Sequence, residues 1–138
     1  AIAAKSAFPN RTVVCFAGDG DFQMTCQELS TAAQAEIFPI ILILNNSTYG
    51  TIRVHQEKNY PGRVSCTDIV NPNFTSLAES FGFLGLRVGT TDEFYVAFES
   101  ALNSERGAVL DLNVSSESLV PRQSLSDIRK NALNNQSK

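Results

Sequence analysis

An α/β fold, a doubly wound parallel sheet with helices on both faces, is predicted by three observations. Two apolar runs, Val13–Ala17 and Ile40–Leu44, have the length and continuity of strands buried in a parallel sheet. Each runs into a polar turn, Gly18-Asp19-Gly20 after the first and Asn45-Asn46 after the second. Between them, a stretch over about 23–36 carries a helical stripe, Phe22, Cys26, Leu29, Ala33 and Ile37, which Phe38-Pro39 stops. Strand–helix–strand units cross over right-handed, so both strands point the same way. A helix of about 14 residues returns roughly 21 Å, and a five-residue strand covers about 17 Å. Asp19 and Asn46 are therefore expected on one carboxyl edge, where open α/β sheets bind ligands.

The remaining elements continue the alternation. Thr51 to about Lys58 is predicted helical, followed by a loop at Asn59-Tyr60-Pro61-Gly62-Arg63. A helix over 73–81 places Phe74, Leu77, Ala78 and Phe81 on one stripe, and Leu84 to Val88 reads as a strand. Thr90 and Glu93 have the spacing of a capping box, starting a helix near Thr91 that runs to about Leu102. Its buried face is expected at Phe94, Ala97, Phe98, Ala101 and Leu102, and Ala108 to Val114 is the last strand. From Pro121 to Lys138 the chain is polar, and this tail is expected to dock loosely or fray.

Composition narrows the classes. At 138 residues and 43% hydrophobic, the chain can bury a core as one domain over 1–120. A net charge of −3 with 11 basic residues leaves no footprint for nucleic acid. The apolar stretch Ile37–Leu44 contains a proline and is too short to span a membrane. Cys15 and Cys26 are expected as free, buried, reduced thiols and Cys66 in a loop, and with a lone histidine and no Cys-x-x-Cys, zinc is disfavoured. A reducing cytoplasm is the expected compartment.

Asp19 offers a carboxylate and Asn46 an amide oxygen, two hard ligands without sulfur or imidazole. Such a pair suits Mg²⁺, which takes one or two protein oxygens and completes its shell with phosphates and water. Gly18 and Gly20 permit unusual backbone angles and close approach of a ligand. A helix starting near Phe22 would aim its free N–H groups at the same spot.

Gly18-Asp19-Gly20, then 24 residues, then Asn45-Asn46 resembles the signature of thiamine diphosphate-dependent enzymes. Phe22, Gln27-Glu28-Leu29 and Asn45-Asn46-Ser47-Thr48-Tyr49-Gly50 are similar to the 2-oxo acid decarboxylase and acetolactate synthase branch, over roughly 1–120. The resemblance implies Mg²⁺ bound by Asp19, by the Asn46 side chain and by the backbone carbonyl of Thr48. It implies the diphosphate of thiamine diphosphate held by N–H groups of Gly20 and Asp21 and, opposite, of Gly50 and Thr51. Tyr49 and Phe22 would border the cofactor rings or the substrate channel. The cofactor would supply the chemistry, adding to a 2-oxo acid and holding electrons after CO₂ leaves. Position 21 is Asp where a small neutral residue is easier beside a diphosphate, and its side chain is read as a helix N-cap turned onto backbone N–H groups.

Much of such an enzyme is missing here. The activating glutamate of the family comes from a separate N-terminal domain, usually of a partner subunit. The opening Ala1-Ile2-Ala3-Ala4-Lys5 reads as a chain entered within a helix, so a piece of a longer chain is expected, and the resemblance implies three domains and a homo-oligomer. Familiar acetolactate synthases carry Gln, Gly and Met around the second loop and a nearby Trp. The Ser47–Arg53 stretch and the absence of Trp are closer to benzoylformate decarboxylase-type and synthase-like members. A non-catalytic module of the same fold, or another Mg²⁺-phosphate binder, is the alternative. His55 and Glu28 are expected in structural roles and Arg53 in solvent, while Tyr60 and Arg63 carry no assignment.

Overall fold

The computed structural model describes residues 1–136; Ser137 and Lys138, the end of the expected tail, lie outside the described residues. Two compact units are formed, Ala1–Asn45 with Asn71–Asn113, and Asn46–Val70 with the chain from Val114 onward.

The first unit is the predicted α/β sheet. Its elements are α1 (Ile2–Ala7), β1 (Val14–Gly18), α2 (Asp19–Thr25), α3 (Glu28–Gln34), β2 (Ile40–Asn45), α5 (Phe74–Ser80), β3 (Leu84–Val88), α6 (Thr91–Leu102) and β4 (Ala108–Asn113). The sheet order is β1-β2-β4-β3, and every pairing is parallel. Alternate residues of β2 serve the two faces. Ile41 and Ile43 join Leu29, Phe74 and Ala78 on one side, whereas Ile40 and Leu42 join Val88, Ala101 and Leu110 on the other. Burying a side chain such as Phe74, which is fully enclosed, contributes about 2–3 kcal/mol.

Three local expectations are corrected. β1 is an outer strand, and Phe16 is 71% exposed. In register Phe16 pairs with Leu42, and on that face α6 packs chiefly over β3 and β4. The single helix expected over 23–36 is two helices. Leu29 N–H bonds to Cys26 and Ser30 N–H to Gln27, three-residue spacings that tighten the turn between them. The helix after Asn73 is capped by that side chain, which accepts the N–H groups of Thr75 and Ser76. The capping box at Thr90 and Glu93 forms as expected, but Leu102 at the end of α6 is exposed.

The second unit holds α4 (Gly50–Asn59) and α7 (Leu125–Gln136). Residues of the tail expected to dock loosely or fray therefore form a helix, packed through Leu125 and Ile128. Ser124 Oγ accepts the Asp127 N–H at 3.1 Å, and Asp127 returns a bond to Ser124, a capping box. Leu125 and Ile128 are buried with Val54, beside Leu119 and Val120.

Candidate functional site

β1 ends at Gly18 and the chain turns at once into α2, with Gly18 as N-cap at φ −68° and ψ 157°. The helix thus begins earlier than expected, and Asp19 is its first residue. Neither Gly18 nor Gly20 is among the positive-φ residues, so unusual backbone angles are not what glycine supplies here. Close approach is: a Cβ on Gly18 would stand 3.0 Å from Oδ2 of Asp21. Asp21 is not the N-cap. It is the third helical residue, and its carboxylate accepts the Gly18 N–H at 3.3 Å, the returning half of a capping box.

Asp19 is 2% exposed. Its Oδ1 accepts the Gly20 N–H at 3.0 Å, so the amide expected to face a diphosphate is engaged by the neighbouring side chain. Its Oδ2 accepts from Asn71 Nδ2 at 2.7 Å. Asn71 donates as well to Asn45 Oδ1 at 2.8 Å, and Asn45 donates to Asp111 Oδ1 at 2.8 Å. Strand register explains the grouping. Gly18 pairs with Leu44, so the next residues, Asp19 and Asn45, stand at one carboxyl edge. Asn45, Asn71 and Asp111 were not singled out from the sequence. Asn71-Pro72-Asn73 carried a usable signal, since a residue before proline is held extended and Asn73 begins a helix. Phe22, expected near a cofactor ring, is 7% exposed and meets Phe74 edge to face at 5.6 Å.

In the second unit, Asn46 Oδ1 accepts the Thr48 N–H at 3.0 Å, an Asx turn. Ser47 takes φ 54°, a region rare for residues other than glycine. Thr48 pairs with Asp68 in an isolated antiparallel bridge. Bonds from Tyr49 N–H to Thr67 O at 2.8 Å and from Ile69 N–H to Ser47 O at 2.9 Å flank it. The 46–49 loop is thereby fixed ahead of α4. Tyr49 is the N-cap, and Gly50 and Thr51 lie in the first turn, whose N–H groups have no partner within a helix. A Cβ on Gly50 would meet Leu119 Cδ2 at 2.7 Å.

Behind that loop lies a charge cluster the sequence reading missed. Glu57 is fully buried. It accepts from Arg129 Nε at 2.8 Å, Arg53 Nε at 3.2 Å and the Gly62 N–H at 2.9 Å. Those bonds, the Arg129 guanidinium first, hold its carboxyl down at about 2 against the burial that opposes them. Arg53, expected in solvent, also reaches Thr67 and Asp68. His55 and Glu28 are exposed, and Arg63 stacks over the Tyr60 ring at 5.6 Å. Cys15, Cys26 and Cys66 are free thiols, of which Cys66 is exposed. Among the described residues no helix is long and apolar enough to cross a membrane.

The model of the thiamine pyrophosphate enzyme C-terminal TPP-binding domain matches residues 1–112. The acetolactate synthase large subunit of Haemophilus influenzae is 41% identical over 137 residues, spanning 97% of this chain and 23% of that protein. The isozyme 3 large subunit of Escherichia coli is 37% identical over 128 residues, 89% of this chain and 22% of its own length. Among solved structures, the thiamine diphosphate-dependent 4-hydroxybenzoylformate decarboxylase of Rhodococcus jostii superposes with a TM-score of 0.78. It shares 34% identity and covers 83% of this chain and 22% of that one. The chain therefore spans less than a quarter of the length of these relatives. With a parallel sheet whose first strand runs into Gly-Asp-Gly, and a family match over most of its length, this chain belongs to the thiamine pyrophosphate enzymes as a C-terminal TPP-binding domain.

Proposed function

We propose that the chain binds thiamine diphosphate through Mg²⁺, as the C-terminal domain of a 2-oxo acid decarboxylase or carboligase of the acetolactate synthase type. Asp19 supplies the carboxylate, and the Asn46 side chain and Thr48 carbonyl supply neutral oxygens. One acid with two neutral donors suits Mg²⁺, whose remaining positions go to phosphate and water. Asp19 carries this reading. It is a carboxylate only 2% exposed at the end of β1, accepting bonds from the Gly20 N–H and from Asn71. Folded proteins pair such a buried charge or give it to a metal.

The other residues bind and orient. The Gly50 and Thr51 N–H groups, in the first turn of α4, would hold diphosphate oxygens. Asp21 keeps its carboxylate on the Gly18 N–H, which fixes its charge on the chain. Tyr49, the residue capping α4, would border the cofactor. When bound, thiamine diphosphate supplies a carbon centre that adds to a 2-oxo acid and takes up electrons as CO₂ leaves. Further domains and a second subunit would contribute the activating glutamate and most of the substrate pocket, within a cytoplasmic homo-oligomer. Relatives several-fold longer than this chain support that arrangement.

Calorimetric titration tests the binding role. Thiamine diphosphate should bind only with Mg²⁺ present, and Asp19→Ala should abolish the metal-dependent heat. Equal binding in excess chelator would refute it. Release of CO₂ from a panel of 2-oxo acids by the purified protein tests the activity, and sedimentation tests the assembly.

A further inference from the structure

We propose that Asn71 is a positioning residue for the divalent cation, its side-chain amide setting the orientation of the Asp19 carboxylate; this rests on the metal-binding role proposed for Asp19. Both N–H groups of the amide are committed, one to Asp19 Oδ2 at 2.7 Å and one to Asn45 Oδ1 at 2.8 Å. Its oxygen accepts Gln23 Nε2 at 2.6 Å. Reversing the amide would turn oxygen onto two acceptors, so the network defines which end faces Asp19. The backbone is fixed as well. Pro72 restricts Asn71 to extended conformations, and Asn73 immediately caps α5.

The consequence for Asp19 is geometric. Oδ1 is tied to the Gly20 N–H and Oδ2 to Asn71, so both ends of the carboxylate are held. A carboxylate presents about four acceptor positions, and these two bonds restrict its rotation. Asn45 and Asn71 are the last residue before and the first after the segment Asn46–Val70. Groups that orient metal ligands commonly change affinity by about 10–100-fold when removed.

Mn²⁺ serves as the probe, titrated into the purified protein with saturating thiamine diphosphate and followed by electron paramagnetic resonance. Asn71→Ala should weaken Mn²⁺ binding by about 10–100-fold and broaden the spectrum of the bound ion as the carboxylate samples several orientations. Gln23→Leu removes only the bond that orients the amide, and should weaken binding by a smaller factor. A purely structural clasp would lower the melting temperature in the absence of metal and leave affinity and spectrum unchanged. Wild-type affinity within twofold and an unaltered spectrum in Asn71→Ala would overturn the positioning role while leaving Asp19 as ligand. Failure of the wild type to bind Mn²⁺ would overturn the metal-binding role, and this proposal with it. If Asn71→Ala does not fold by circular dichroism, Gln23→Leu decides, and unchanged affinity there overturns the proposal.

Discussion

Replacing Glu57 by Gln should loosen α7 from α4. The carboxylate is fully buried, bonded to Arg129, Arg53 and the Gly62 N–H, and Gln would present an N–H₂ group to two guanidiniums. A carboxyl held at about 2 rather than 4.5 corresponds to roughly 3 kcal/mol, at ~1.4 kcal/mol per pH unit. That agrees with the ~3–5 kcal/mol that follows loss of one partner from a buried pair. Because the folded value is depressed, this stability is fully present above pH 4.5 and is lost as pH falls toward 2. Thermal unfolding at pH 7 should show Glu57→Gln melting about 10 °C lower, and amide hydrogen exchange should speed up along α7. The gap between wild type and variant should narrow below pH 4.5. A gap under about 1 kcal/mol at pH 7, or one unchanged at pH 3, would refute the assignment of this stability to the Glu57 charge.

Gly85→Ala should destabilise by about 1–3 kcal/mol, measured by urea unfolding, because its Cβ would meet the Thr75 backbone oxygen of α5 at 2.5 Å. Thr90→Ala removes the cap of α6, whose side chain accepts the Glu93 N–H, and should cost about 1 kcal/mol in the same assay. Ser47→Gly should cost little or stabilise by up to about 1 kcal/mol, since Ser47 holds φ 54°; strong destabilisation would show that its side chain matters more than its backbone.

Local pattern carried most of the sheet into view. β2, β3 and α6 fall close to their expected limits, because apolar runs, Pro39 and a capping box are short-range signals. Asp19 at the end of β1 was equally legible, since a strand running into Gly-Asp-Gly leaves few options. The break at Cys26-Gln27 was not, because no Gly or Pro marks it and the helix only tightens. α7 had a sign that was passed over: Ser124 and Asp127 have capping-box spacing, and Leu125 and Ile128 share a face. Glu57 with Arg129, and Asp19 with Asn71, are pairings over long sequence separation. Nothing in either neighbourhood names its partner until the chain is folded. Asn45, whose amide joins the Asp19 carboxylate through Asn71, was not singled out, because strand register decides which residue stands at that edge.

The two outer strands differ in how well they discourage unwanted pairing. β3 carries Arg87, an exposed charge of the kind that protects sheet margins. β1 reads Val-Cys-Phe-Ala-Gly, without charge or proline, and shows Phe16 to solvent. Its outward edge has no neighbouring strand among the described residues, so it is the margin at which lateral stacking of concentrated samples is expected. A single lysine in place of Phe16 is the simplest remedy for handling the material at high concentration.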